Sequence, residues 1–252
     1  MIKVTDLTKA YDKTVVVDQV SVSIPDAGVT SIIGANGAGK STLLSMVSRI
    51  LDADAGSVEV DGIDVFNAPS REIATRLSIL RQETHMTARI TVREVVEFGR
   101  YPHSRGRLTA ECKSKVDDAI EYCDLGEFSS RGIHELSGGQ RQRAFIAMVL
   151  AQDTRYVLLD EPLNNLDMPH ATSVMKLLRK LADDHGKSIV LVLHDINYAS
   201  VYSDRIVAMR DGVIVADGAP EAVMNPGTLE SIYGMPFSVL DLDGDLIAAY
   251  FR

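Results

Sequence analysis

Nine residues, Gly34-Ala35-Asn36-Gly37-Ala38-Gly39-Lys40-Ser41-Thr42, restrict this 252-residue chain more than any other segment. They fit the pattern G-x-x-x-x-G-K-[ST]. They lie between an apolar run, Val29–Ile33, and a stretch with Leu43, Leu44, Val47 and Ile50 at helical spacing. A strand, a glycine-rich turn and a helix opening at Lys40 are therefore expected in succession. Glycines let consecutive N–H groups curl around an anion without Cβ clashes, and a helix start adds the positive end of its dipole. Lys40 brings a cation to the β and γ oxygens of a nucleotide, and the Ser41 hydroxyl is placed to ligate Mg²⁺. With ordinary residue frequencies, such a match framed by strand and helix is a rare accident.

Tyr156-Val-Leu-Leu-Asp160-Glu161-Pro162 supplies the complement. Four apolar residues deliver two adjacent carboxylates to a strand end. Asp160 can hold Mg²⁺ through water, and Glu161 can act as general base or orient the attacking water. Adjacent carboxylates are usually solvated surface. Their delivery to the same sheet edge as the phosphate turn favours chemistry.

Around these segments, short β-branched runs come first: Ile2–Thr8, Val15–Ile24, Val29–Ile33 and Ser57–Val60, with Leu77–Leu80 following. From about 91 to 151 the spacing is helical, in Val92, Val95, Val96 and Phe98, then Val116, Ala119, Ile120 and Cys123, then Phe145, Met148 and Val149. Strand–helix alternation then returns with Tyr156–Leu159, Pro169–His185 and Ser188–Leu193, whose continuous apolar character suits a parallel sheet buried on both faces. Ile206–Met209 and Val213–Ala216 read as a hairpin, and Phe237–Leu240 with Leu246–Phe251 as a second one. The expected organisation is an α/β core with the nucleotide site, 1–90 and 152–252, interrupted by a helical subdomain, 91–151.

A net charge of −9 argues against a nucleic-acid partner, which calls for a basic face. The longest apolar run, Ala144–Ala151, is too short to span a bilayer, and Met1–Asp6 shows no secretory pattern. A cytoplasmic chain is expected, reaching a membrane only through a partner. Cys112 and Cys123 read as reduced thiols without zinc-ligand spacing. His85, His103, His134, His170 and His185 read as surface or structural.

Leu136-Ser137-Gly138-Gly139-Gln140-Arg-Gln-Arg143 resembles the signature motif of ABC ATPases, a P-loop family. Two glycines at a helix start make a second anion-binding end. The resemblance implies a P-loop NTPase (RecA-like) core with an antiparallel β portion and an inserted helical subdomain. It further implies that this second end binds the γ-phosphate of ATP held by another copy, in a head-to-tail dimer. The other family motifs follow in order. Tyr11 resembles the aromatic that stacks on adenine, with strand-end packing as the alternative. Gln82 matches the glutamine that touches Mg²⁺ and links core to helical lobe. Asp167, in Asn165-Leu166-Asp167, matches the aspartate that crosses the dimer interface, and His194 the histidine on the γ-phosphate. Asp12 stands where glycine is common, and Leu163-Asn164 replaces the frequent Thr-Ser; Asp tolerates a left-handed turn.

Val95-Val-Glu-Phe-Gly-Arg100-Tyr101-Pro102-His103 resembles the matching segment of importers of ferric siderophores, haem and vitamin B12, and Glu161–Met168 that of the ferric-siderophore branch. The resemblance implies a motor subunit on the inner face of the cell membrane, held by integral permease subunits. A periplasmic or lipid-anchored binding protein would choose the cargo. Arg100–His103 is expected to be a basic surface loop or part of the permease-docking lobe. Haem or vitamin B12 import, and a non-transport ABC ATPase, are the alternatives.

Overall fold

The computed structural model describes residues 1–82 and 89–251, so His85 lies outside the described residues. The chain opens with β1 (Ile2–Tyr11) and β2 (Thr14–Ile24), an antiparallel pair, followed by β3 (Gly28–Ile33) and α1 (Lys40–Val47). Next come β4 (Ala55–Val60), β5 (Ile63–Asp64), α2 (Ser70–Ala74) and β6 (Leu77–Leu80). Helices then take over: α3 (Val92–Phe98), α4 (Tyr101–Ser104), α5 (Ala110–Tyr122) and α6 (Gly138–Ala151), with one-turn 3₁₀ helices at Gly126–Phe128 and Ile133–Glu135. Strand and helix alternate again through β7 (Tyr156–Asp160), α7 (Met168–His185), β8 (Ser188–Val192) and α8 (Ile196–Tyr202). The chain closes with β9 (Arg205–Arg210), β10 (Val213–Gly218), α9 (Pro220–Val223), α10 (Pro226–Tyr233), β11 (Ser238–Leu242) and β12 (Asp245–Ala249).

Three sheets form among the described residues. The central one runs β10-β9-β3-β8-β7-β6, parallel except for β10, which folds back on β9. An antiparallel sheet, β2-β1-β4-β5, packs on one side, and β11-β12 forms a separate hairpin. Side chains alternate across a strand, so each central strand feeds two cores. Val157 and Leu159 of β7 and Ile189 and Leu191 of β8 join the core shared with α3, α5, α6 and α7. Tyr156, Leu158, Val190 and Val192 join the core shared with α1 and the antiparallel sheet. Every residue of β7 and β8 is buried, the reason those strands read as unbroken apolar runs.

Two expectations are corrected. Ile50 is not on the first helix. Arg49 takes φ 59, and the N–H groups of Ile50 and Leu51 return to the Ser45 carbonyl at 2.9 and 3.1 Å, which ends the helix and leaves Ile50 45% exposed. Arg100 is not on a surface loop. It is 3% exposed, with Nη1 donating to the Ala151 carbonyl at 2.8 Å. The segment turns inward there because Gly99 packs directly on the end of α6, where an added Cβ would stand 1.9 Å from the Met148 carbonyl oxygen. His103 is tied to the same helix end, its Nε2 lying 2.9 Å from the Gln152 carbonyl oxygen.

Candidate active site

The phosphate turn is held open by its walls. A Cβ on Gly34 would lie 2.1 Å from the Met209 carbonyl oxygen, and one on Gly39 would lie 2.4 Å from that of Val16. Both glycines have positive φ, at 145 and 96 degrees, so close approach and backbone conformation exclude a side chain together. Gly37 faces open space. Behind the turn, Gly212 N–H donates to the Ala38 carbonyl at 3.2 Å, pinning it to the β9–β10 hairpin. Ala35, Asn36 and Ala38 complete the turn between β3 and α1, and Thr42 lies in the first turn of α1.

Lys40 is 5% exposed and folds back on the turn, donating to the carbonyls of Gly34 and Ala35 at 2.9 Å each. Burial lowers its pKa, while Glu161 and Asp160 act the other way. Ser41 Oγ donates to Asp160 Oδ1 at 2.8 Å, joining the two motifs across the sheet edge. Burial raises the Asp160 pKa; the Ser41 bond and Lys40 oppose this, and neighbouring Glu161 adds to it. An added cation would relieve both the burial and the repulsion. A hydroxyl beside one carboxylate suits Mg²⁺, which keeps waters and takes phosphate oxygens for its remaining positions. The residues present therefore fit Mg-nucleotide.

Glu161, the residue after β7, takes a left-handed conformation, φ 51, uncommon for a residue with a side chain. Its Oε2 accepts from Gln82 Nε2 at 2.6 Å and from Asn164 Nδ2, and its Oε1 lies 2.6 Å from His194 Nε2. Sequence reasoning missed Asn164, noted only as a departure from the family pattern. A polar amide three residues beyond the carboxylate was the available signal. Tyr11 is half-exposed at the end of β1, paired with Thr14 across the hairpin. Asp12 takes φ 53, the turn conformation anticipated for it.

Ser137, Gly138, Gly139 and Gln140 start α6. Ser137 Oγ accepts from Gln140 N–H at 3.3 Å, and Gln140 Oε1 accepts from Ser137 N–H at 3.0 Å. This reciprocal cap gives the Ser-x-x-Gln order a local physical reason. Asp167 caps α7 by accepting from His170 N–H at 3.1 Å, and the His170 imidazole Nδ1 meets the same carboxylate oxygen. These contacts hold Asp167 below the usual carboxylate range, the imidazole contributing most. Among the described residues no hydrogen bond joins Ser137–Gln140 or Asp167 to Lys40, Ser41 or Asp160. Gly138, Gln82 and Glu161 border one cleft, which also takes in Asn165.

The ABC transporter family profile matches residues 17–164. The chain belongs to the ABC transporter family. It is an ATPase of that family, binding and hydrolysing ATP. It is 47% identical over 251 residues to the petrobactin import ATP-binding protein YclP of Bacillus subtilis, covering all of both chains. It is 41% identical to the ferric enterobactin transport ATP-binding protein FepC of Escherichia coli, covering 93% of this chain and 88% of that one. A dimeric ATP-binding cassette in a post-hydrolysis state, bound to ADP and phosphate, superposes with a TM-score of 0.77 at 28% identity. That match covers 87% of this chain and 99% of the cassette. ABC cassettes dimerise and act with membrane permease subunits. No helix among the described residues is long and apolar enough to cross a membrane.

Proposed function

We propose that this ATPase drives import of ferric siderophores, as a head-to-tail pair docked on permease subunits at the inner face of the membrane. The observation that carries its chemistry is the Ser41–Asp160 bond at 2.8 Å, with Glu161 one residue further on. It brings the phosphate turn and the acidic strand end into one site. The cargo class rests on the siderophore-importing relatives. A periplasmic or lipid-anchored partner selects the cargo, which this chain does not touch.

In this reading Tyr11 stacks on adenine, and the N–H groups of 34–42 with Lys40 hold the phosphates. Ser41 and Asp160, with Gln82 alongside, would hold Mg²⁺, which would supply charge neutralisation to the phosphates. Glu161 takes a proton from water as the water oxygen bonds to the γ-phosphorus. The bond to the β–γ bridging oxygen breaks, leaving ADP and phosphate. Gln82 and Asn164 fix the carboxylate, and His194 serves the γ-phosphate once nucleotide is bound. Ser137, Gly138, Gly139 and Gln140 of one copy close on the nucleotide of the other, with Asp167 crossing the interface. Residues 91–151 act as the unit that meets the permease, through the exposed Phe98 and Tyr101 rather than the buried Arg100.

Glu161→Gln tests this. Glutamine keeps the shape but cannot accept the proton, so hydrolysis should stop while Mg-ATP binding survives. With ATP unspent, the variant should sediment as a dimer, and adding Ser137→Arg should return it to monomer. Wild-type turnover in Glu161→Gln would remove the base from Glu161. A dimer that survives Ser137→Arg would sink the head-to-tail arrangement.

A further inference from the structure

The two signature glycines stand in different surroundings. A Cβ on Gly138 would meet nothing closer than 3.8 Å, the Asn165 carbonyl oxygen and Leu166 Cδ2, an ordinary contact. A Cβ on Gly139 would stand 2.2 Å from His170 Cδ2, 2.7 Å from Cγ and 3.1 Å from the His170 Cβ. The imidazole therefore lies directly on Gly139, and its other edge, through Nδ1, meets the Asp167 carboxylate. Ring rotation cannot relieve the clash cheaply, because the His170 Cβ is also close and turning the ring breaks the Asp167 contact. Ser137 and Gln140 are engaged with each other. Of the two glycines, then, Gly139 has a reason within its own chain to lack a side chain and Gly138 has none.

We propose that His170 is a positioning residue that clamps the start of α6 to the 165–167 loop within one subunit. One imidazole then sets the spacing between the two segments that the proposed pairing offers to the opposite copy. Gly139 is glycine to seat this ring, whereas Gly138 is glycine to leave room for what the opposite copy holds. The clamp is intramolecular; its effect on pairing rests on the head-to-tail reading above.

Hydrogen exchange on the free chain tests the clamp without any dimer. His170→Ala should speed amide exchange in 137–140 and 165–167 together, with the unfolding midpoint and ATP binding to the monomer little changed. His170→Phe, which keeps the ring but not the Asp167 contact, should restore protection to 137–140 only. Unchanged exchange in both segments, or a general loss of protection with a lower unfolding midpoint, overturns the proposal. In the Glu161→Gln background, His170→Ala should weaken ATP-dependent dimerisation about tenfold, the scale of one lost hydrogen bond. Gly139→Ala should weaken it too, and the pair Gly139→Ala with His170→Ala should be no worse than His170→Ala alone. Additive losses overturn the seat on Gly139. If Glu161→Gln never dimerises with ATP, the head-to-tail reading fails, and the exchange result still decides the clamp.

Discussion

At the scale of single residues, the candidate site brings a buried lysine and a buried carboxylate to one sheet edge. Lys40 is buried against two carbonyls, and Asp160 is buried beside a second carboxylate. Each gains more from a phosphate or a cation than a solvated group would. Lys40→Ala should abolish hydrolysis and weaken ATP binding, read by phosphate release and nucleotide titration. Wild-type turnover in that variant would place the phosphates elsewhere. Tyr11 is half-exposed at a strand end, with Lys9 Nζ 5.9 Å from its ring centre. Tyr11→Ala should weaken ATP binding by roughly 1–3 kcal/mol, the scale of base–aromatic stacking. An unaltered dissociation constant would return Tyr11 to ordinary packing.

At the scale of elements, helix and strand ends do the positioning. β3 ends at the glycine turn, β7 ends at Asp160, and β8 lies between them and ends just before His194, so parallel pairing brings three motifs to one edge. The ends of α6 are also specified: the Ser137–Gln140 cap at its start, and Arg100 against the Ala151 carbonyl at its finish. Arg100 accordingly braces the end of α6. Arg100→Ala should lower stability by about 1–3 kcal/mol, the cost of leaving a buried carbonyl unpartnered. Urea unfolding would show it, and an unchanged midpoint would contradict the brace. Tyr101→Ala, at an exposed position, should leave that midpoint unchanged and reduce transport.

At the scale of the whole molecule, the central sheet is covered on both faces, so chemistry is confined to the sheet edge and to surfaces offered to other chains. Phe98 and Tyr101 stand exposed on the helical side, at 54% and 65%. Deleting the gene should impair growth on ferric siderophore as sole iron source, with inorganic iron restoring it. Normal uptake of every iron chelate tested, in a strain without a second such ATPase, would reject the cargo assignment.

The sequence by itself determined the strand–turn–helix around Lys40, the carboxylate-bearing strand end and both terminal hairpins. These signals are local: glycine at tight backbone, apolar periodicity, and turn residues between short strands. It also carried the phosphate turn and the Asp160–Glu161 pair that the Ser41–Asp160 bond joins, because each is a short continuous run. Only the tertiary structure decided which polar side chain meets which. Arg100 reads as surface because arginine usually is, yet the packing of Gly99 on α6 carries it inside. Ile50 reads as helical because its spacing fits, yet a left-handed Arg49 ends the helix first. His170 reads as a surface or structural histidine, and only the packing of α6 and α7 lays its ring on Gly139 while Nδ1 meets Asp167. The Arg100–Ala151 and His170–Gly139 contacts join residues far apart in the chain, and no local pattern encodes them.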